Sequence, residues 1–397
     1  MLTAIKYRAY PRPDQCRLLA QMFGNQRFVW NYFLGEQKRR LDAKERLLSA
    51  YSMMGMLPAL IAEKPWLGES KVDALCTSIE ALDGALRKFF KKQSKFPKFK
   101  KRHGRQSVTT IQVSPNVLRL NRRLGPIEIS EHRPIPVGKR KRLTISHSPS
   151  GRYFSSLLVQ TSEAFPSEQE VSSVIGIDEG LESFVTLSTG RKIRHGKHYR
   201  ANLARLRREQ RRLSRKTKGS NRRERQRIRV AKLHEKITNS RAYETHLIST
   251  NLVRKAVRES QAIAFQKFGI SGLLKNHSLA LSITDAAWGE LRRQLAYKCQ
   301  RAGVPLIEVD QWEPTSYPCH RCGVKAEGKT LCDRHWVCLG CGSKIDRDIN
   351  AARNTARLGW NQLRREAPLM DVEAVAVMAV DEASTGASRA KRVEDSN

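Results

Sequence analysis

Two stretches, PCHRCG (Pro318–Gly323) and CLGCGSKIDRDINAARN (Cys338–Asn354), decide the reading of this chain. The pairs Cys319/Cys322 and Cys338/Cys341, separated by a short ribbon, have the spacing of a tetrahedral thiolate cage. Thiolates are soft ligands suited to zinc, and each CxxC turn delivers two sulfurs from one tight bend. Gly323 and Gly342 follow the second cysteine of each pair, where the backbone approaches closely. Four thiolates leave no open position for water, so the expected zinc is structural. His320, Cys332 and His335 share the window but fall outside the spacing and are read as non-ligands. Five of the eight cysteines crowd between Cys319 and Cys341, whereas Cys16, Cys76 and Cys299 are scattered as buried thiols are. Such clustering points to metal rather than to disulfides.

Immediately after the cysteines, Asp348 stands at the start of a helix read over Asp348–Trp360. Far upstream, SSVIGID ends in Asp178, the close of a buried-type strand before EGL. Carboxylates at a strand end and a helix start can converge on Mg²⁺, and two such ions clamp the attacking and leaving oxygens of a phosphodiester. Each signal alone is common: an Asp before a helix is usually a cap, and one at a strand end a turn residue. Their meaning depends on what else lies along the chain.

Charge narrows the class. Lys and Arg number 74 against 38 Asp and Glu, a formal charge of +36 over 397 residues. A surface so basic repels itself unless a polyanion neutralises it, which makes nucleic acid the natural partner. Hydrophobic residues at 40% provide for real cores. The N-terminus lacks a basic segment followed by an apolar one, and no apolar run approaches bilayer length, so no membrane partner is expected. The expected location is cytoplasmic and nucleoid-associated.

Residues 2–10 alternate as a strand, with Pro11, Pro13 and a possible cap at Asp14 before helical spacing that Gly24 should interrupt. Another helix is read over 70–92, then the basic segment FPKFKKRHGR with Lys98, Lys100 and Lys101, then short strands over 107–160. Ser162–Glu170 reads as a linker. From 197 to 236 the chain is helical and very basic, divided near Gly219. Its Arg207, Arg208, Arg211, Arg212, Arg222, Arg223 and Arg225 suit a surface that tracks phosphates. Buried-type strands follow at 261–268 and 304–310, with a helix over 284–302 between them that ends at Gly303. The expected division is therefore a small β-barrel with a helical insertion (1–165), an α/β domain (166–315) that includes the basic helices, a ribbon (316–345), a closing motif and helix (346–371), and a disordered tail (372–397).

Taken together, these motifs resemble the TnpB (OrfB) family of transposon-encoded proteins, relatives of the type V CRISPR effector nucleases. GIDEG is similar to the family's first RuvC motif and CGSKIDRDINAARN to its third. WGELRRQLAYKCQRAG with PTSYPCHRCG resembles the segment before the ribbon, YRAYPRPDQ and NQRFVWNYFL resemble the family's opening, and FPKFKKR resembles its PxFK element. The resemblance spans about residues 1–360. It implies an RNase H-like (RuvC) mixed sheet with an inserted zinc ribbon, Mg²⁺-dependent cutting of double-stranded DNA under a guide RNA, Asp178 and Asp348 as catalytic metal ligands, and the four cysteines as zinc ligands.

One motif departs from the pattern. The family's second RuvC motif has a strand ending in Glu, whereas here IAFQKFGISGLLKNH places Gln266 there, beside Lys267. A neutral amide is a poor Mg²⁺ ligand. Either the chain only binds DNA under RNA guidance, as a repressor would, or another carboxylate has taken over. The first candidate is Glu313 in DQWEPTS, with Asp310 and Glu308 behind it. Strand 304–310 should neighbour the strand ending at Gln266, so its exit loop passes the same place. Gln266 would then be a hydrogen-bonding residue behind the site. A DNA-strand-joining transposase on the same scaffold is the other class this sequence admits.

Overall fold

The alternation in LTAIKYRAY becomes strand β1 (Leu2–Tyr10), with Ile5, Tyr7 and Ala9 turned inward. Helix α1 (Pro13–Asp42) follows. Its start is closed by Gln15 rather than Asp14, the Gln15 Oε1 accepting from the Arg12 N–H at 3.0 Å. Gly24 does not interrupt it. A helical glycine costs about 1 kcal/mol, which the burial of Leu19, Met22, Phe23, Val29 and Phe33 on the same helix outweighs. Helices α2 (Ala50–Gly55), α3 (Leu57–Glu63) and α4 (Val72–Phe90) pack on α1 through Met53, Leu57, Leu75, Ile79 and Leu82.

Four further strands, β2 (Gln106–Thr110), β3 (Glu128–Ser130), β4 (Lys139–His147) and β5 (Tyr153–Gln160), join β1 in an antiparallel sheet of order β2-β4-β5-β1-β3. The sequence suggests a barrel; among the described residues the ladder is a five-stranded sheet with β2 and β3 at its edges.

The second sheet begins with β6 (Ser173–Asp178), β7 (Val185–Leu187) and β8 (Lys192–Ile193), an antiparallel meander. Helices α5 (His198–Ser214) and α6 (Asn221–Arg258) lead to β9 (Gln261–Gln266), which pairs parallel with β6. Then come α7 (Ile270–Leu273), α8 (His277–Ala286) and α9 (Trp288–Ala302). The single helix expected over 284–302 is split because Ala287 takes a left-handed φ of 54°. Gly303 ends α9 in the same region, as its position predicts. Strand β10 (Leu306–Val309) adds parallel to β9, with Val309 opposite Gln266, giving the order β10-β9-β6-β7-β8. Finally β11 (His335–Val337) and β12 (Lys344–Asp346) pair as a two-stranded ribbon, and α10 (Arg347–Glu366) closes the fold.

The glycine of GID has a specific task. A Cβ on Gly176 would overlap the Ala352 carbonyl and come within 2.6 Å of the Ala356 nitrogen. Helix α10 therefore lies directly on β6, with Gly359 likewise against Ala264 of β9. This close packing carries the start of α10 toward the end of β6.

The structure, a computed structural model, describes residues 1–111, 113, 120, 123–273, 275–329 and 333–366. Cys332 and the tail expected to be disordered lie outside the described residues. The chain forms two compact units, Met1–Ala164 with Asn202–Asn239, and Phe165–Ala201 with the described residues from Ser240 onward. The sequence reading assigns the basic helices to the α/β domain, whereas most of that hairpin belongs to the first unit. The cause is local attachment: Arg227 donates to the Pro149 carbonyl at 3.3 Å, Arg152 pairs with Glu235 at 3.6 Å, and Val230 and Leu233 are buried. Among the described residues no helix is long and apolar enough to cross a membrane.

Candidate metal centre and nucleic-acid interface

Asp178 ends β6, beside β9 on one side and β7 on the other. Burial raises its carboxyl to about 7, with Asp348 and Glu179 adding like-charge repulsion and Arg347 and Arg334 opposing it. Two carboxylates from distant parts of the chain, Asp178 and Asp348, thus repel each other near the end of β6. Asp348 is free for this because Asp346 does the capping: its Oδ1 accepts the N–H groups of Asp348 at 3.1 Å and Ile349 at 3.0 Å. Cations surround the pair. Arg334 donates one nitrogen to both Asp348 oxygens at 3.0 Å, Arg347 lies 3.6 Å from Asp348, and Lys192 holds Asp346 at 2.7 Å.

Gln266 ends β9 with its side chain fully engaged. Its Nε2 donates to the Glu313 carbonyl at 2.7 Å and the Asp310 carbonyl at 3.0 Å, and its Oε1 accepts from Thr315 Oγ1 at 3.0 Å. The loop leaving β10 is therefore fastened across the end of β9. Glu313 is exposed, and Asp178, Asp348 and Glu313 do not converge as a three-carboxylate cluster. The expectation of a Glu313 carboxylate lying beside the two aspartates is not met in this conformation. The loop is held by its carbonyls, which leaves the Glu313 side chain to solvent, and Arg334 already neutralises Asp348. Of the runners-up, Glu308 pairs with Lys267 at 3.2 Å, and Asp310 caps its own loop by accepting from the Trp312 N–H at 2.8 Å.

Several supporting residues escape a reading of the sequence alone. Glu179, with 2% of its side chain exposed, pairs with Arg292 of α9. Arg292 also donates to the carbonyls of Gln266 at 3.2 Å and Phe268 at 3.3 Å and stacks its guanidinium on Phe268 at 4.1 Å. One arginine thus ties the ends of β6 and β9 together. Asn350 and Asn354, one turn apart on α10, donate to the carbonyls of Ser316, Pro318 and Thr315 at 2.7–3.0 Å, and Asn350 Oδ1 accepts the His320 N–H at 2.9 Å. The helix that carries Asp348 thereby holds the approach to the first cysteine pair. Only the repeated Asn at an i,i+4 spacing hinted at this.

The Sγ atoms of Cys319, Cys322, Cys338 and Cys341 all lie within 4.8 Å of one another. Cys319 and Cys341 are 3.7 Å apart and Cys322 and Cys338 3.5 Å. Four sulfurs on one zinc at ordinary bond length are separated by about 3.8 Å, so the donor set fits. Gly323 and Gly342 take φ of 77° and 69°, a left-handed bend that suits glycine after each pair. Hydrogen bonding with Ser343 pulls the Cys341 thiol down to about 6, favouring the thiolate. His320 faces Asn350 and Arg353, and His335 faces Asp346, so neither histidine joins the cage.

The basic residues divide by role. Arg207, Arg208, Arg211, Arg212, Arg222 and Arg225 are exposed. Arg223 is half-buried and holds the turn between α5 and α6, donating to the Leu213 carbonyl at 2.7 Å and the Lys216 carbonyl at 2.9 Å. Lys98 and Lys101 are exposed, and the Lys100 ammonium sits over the Trp30 ring at 3.9 Å while Asn31 hydrogen-bonds both its backbone N–H and carbonyl.

Residues 1–46 match a family model described as "Helix-turn-helix domain", 156–273 one described as "Probable transposase", and 288–355 one described as "Cas12f1-like, TNB domain". In this structure residues 1–46 are a strand and one long helix rather than two helices about a turn. A Streptomyces pristinaespiralis protein named "Putative RNA-guided DNA endonuclease" is 37% identical over 364 residues, 90% of this chain and 89% of that protein. The Escherichia coli (strain K12) "Putative RNA-guided DNA endonuclease InsQ" is 29% identical over 90% of this chain and 92% of its own length. Among solved structures, the Cas12f1–sgRNA–target DNA complex contains a chain with the same fold at a TM-score of 0.58 and 11% identity, covering 90% of this chain and 98% of that one. With the paired cysteines, the transposase-type match over 156–273 and a relative matched over nearly its full length, this chain belongs to the TnpB (OrfB) family.

Proposed function

We propose that this protein is an RNA-guided DNA endonuclease with a RuvC-type, Mg²⁺-dependent site on an RNase H-like sheet and a structural zinc in the Cys319/Cys322/Cys338/Cys341 ribbon. Base pairing by a guide RNA reads most of the target, while the protein reads shape and a short flanking motif on duplex DNA. The first unit, 1–164 with the basic hairpin, grips RNA through Lys98, Lys100, Lys101, Arg207, Arg208, Arg211, Arg212, Arg222 and Arg225. Arg223 shapes that surface by holding its turn.

Asp178 and Asp348 would hold the catalytic metal, with Glu313 as third carboxylate. Bound Mg²⁺ would supply charge stabilisation to the scissile phosphate and activate water. The carrying observation is the Gln266 clamp: its side-chain amide donates to the Glu313 carbonyl at 2.7 Å, holding that loop near the strand end where a carboxylate is otherwise expected. A rotation of the exposed Glu313 side chain then supplies what Gln266 cannot. Gln266 acts as a positioning residue, and Arg292 keeps the two strand ends in register.

A second reading, a nuclease-dead RNA-guided repressor, is favoured by the Arg334 guanidinium on Asp348 and the solvent-facing Glu313. Cleavage assays with the copurified RNA separate the two. The endonuclease reading expects Mg²⁺-dependent cutting that Glu313→Ala removes without loss of RNA-guided binding. Binding without cutting by the wild type would establish the repressor.

A further inference from the structure

A cavity of about 890 Å³ within the first unit is not used by the reading above. It lies between α1, the segment after Lys101, the turn joining β4 to β5, and the start of α6. Its lining includes Phe23, His147, Tyr153, Arg102, Arg223 and Arg227. The volume is within the range of small-molecule sites and ample for a nucleotide.

Three flat rings form one wall. Phe23 and His147 stack with centroids 6.4 Å apart and planes 15° from parallel, and His147 meets Tyr153 at 4.4 Å. Burial first, then the Arg227 guanidinium, hold the His147 imidazole below its ordinary value, so near neutral pH the ring is an uncharged stacking surface. Cations stand around it. Four arginines line the cavity against a single acid, Glu224, which is committed to Arg227 at 2.6 Å. These positions are built into the fold. Gln106, itself nearly buried, donates to the carbonyls of Lys101, Arg102 and Gly104 at 2.9–3.3 Å and accepts from Arg27 at 3.0 Å. It curls the basic segment so that Arg102 and His103 face the cavity. Opposite, Arg223 fixes the α5–α6 turn and Arg227 reaches the Pro149 carbonyl.

We infer that this cavity receives one unstacked nucleotide of the bound RNA, its base against the His147–Tyr153 wall and its phosphate among Arg102, Arg223 and Arg227. The inference rests on the RNA-binding reading proposed above and deepens it by assigning a subsite. Aromatic walls bind bases through their π-faces with little regard to sequence, and arginines at the rim take the phosphate. An extruded base there would anchor the RNA at one point, whereas the exposed arginines of α5 and α6 hold it along its length.

The test uses the full chain and the RNA that copurifies with it from cells carrying its flanking DNA. RNA labelled in the cell with 4-thiouridine is irradiated with long-wave ultraviolet light, and the crosslinked peptides are mapped by mass spectrometry. The same RNA is titrated against wild type, His147→Ala and the exposed-rim variant Arg102→Glu. The expected result is a crosslink on the peptides of β4 or β5 and RNA binding weakened about tenfold or more in each variant. Arg102→Glu keeps the test valid should His147→Ala fold poorly. Unchanged affinity in Arg102→Glu and in folded His147→Ala overturns the inference, whatever the crosslinks show. A chain that carries no discrete RNA defeats the proposed function and this subsite together, whereas discrete RNA bound equally by wild type and variants defeats the subsite alone.

Discussion

The side-chain amide of Gln266 donates to the backbone carbonyl of Glu313 at 2.7 Å, so the two residues on which the cutting question turns are in direct contact. A donor is required there, because the atoms facing Nε2 are carbonyl oxygens of the β10 exit loop. Replacing Gln266 by Glu would restore the family's residue type and yet set a carboxylate against those oxygens. We therefore expect Gln266→Glu to lower, not raise, DNA cleavage. Gln266→Ala should lower it about ten- to a hundredfold, as removal of a group that supports a metal ligand does, and Glu313→Ala should lower it further. Cleavage that rises in Gln266→Glu would show that the clamp is incidental.

Asp178 carries a cost in the metal-free chain, since its carboxyl is desolvated and faces Asp348 and Glu179. Asp178→Asn keeps the shape and removes the charge. The expected outcome is abolished cleavage together with a thermal midpoint higher by a few degrees in chelator, roughly 2–4 °C for each kcal/mol of added stability. Thermal unfolding with and without Mg²⁺ checks it: added Mg²⁺ should raise the midpoint of wild type and leave that of Asp178→Asn nearly unchanged.

Arg292 and Glu179 form a buried pair whose halves are unequal in consequence. Removing Arg292 alone leaves a buried carboxylate, and Arg292→Ala is expected to destabilise the chain by about 3–5 kcal/mol. Replacing both residues with methionine should recover much of that stability. Urea unfolding of the single and double variants decides this; equal destabilisation in both would mean the arginine matters for packing on Phe268 rather than for charge.

The cysteine cage predicts one zinc per chain. Cys319→Ser or Cys341→Ser should release it and loosen residues 316–345, because ligand geometry and ribbon folding are coupled. Elemental analysis and hydrogen exchange across 316–345 report the two effects. Helix α10 should stay protected in the same variants, because it packs directly on β6 at Gly176 and on β9 at Gly359.

Neutralising Arg207, Arg208, Arg211 and Arg212 together should weaken RNA binding and flatten its salt dependence. The log–log slope should fall by up to about 3, at about 0.7 for each single-strand phosphate that an arginine no longer neutralises. These four side chains are exposed, and Arg212 is paired with Glu209 at 3.0 Å, so its share should be the smallest. An unchanged slope would identify the face as merely solvated.

What the sequence by itself determined was set by local chemistry and spacing. The cysteine pairs are legible because each sits in one tight turn. Asp178 and Asp348 are legible because strand and helix periods mark where each element ends. The basic stretches need only composition. Tertiary structure decided the rest, because it depends on residues distant in the chain meeting. The glycine of GID acquires its meaning only when α10 lies on β6. Glu179 and Arg292, 113 positions apart, become one clamp. That Gln266 holds the loop beyond β10 by its carbonyls is visible only in the fold. The basic helices join the first unit rather than the sheet that precedes them, since attachment follows the buried Val230 and Leu233 and the Arg227–Pro149 hydrogen bond, not order along the chain.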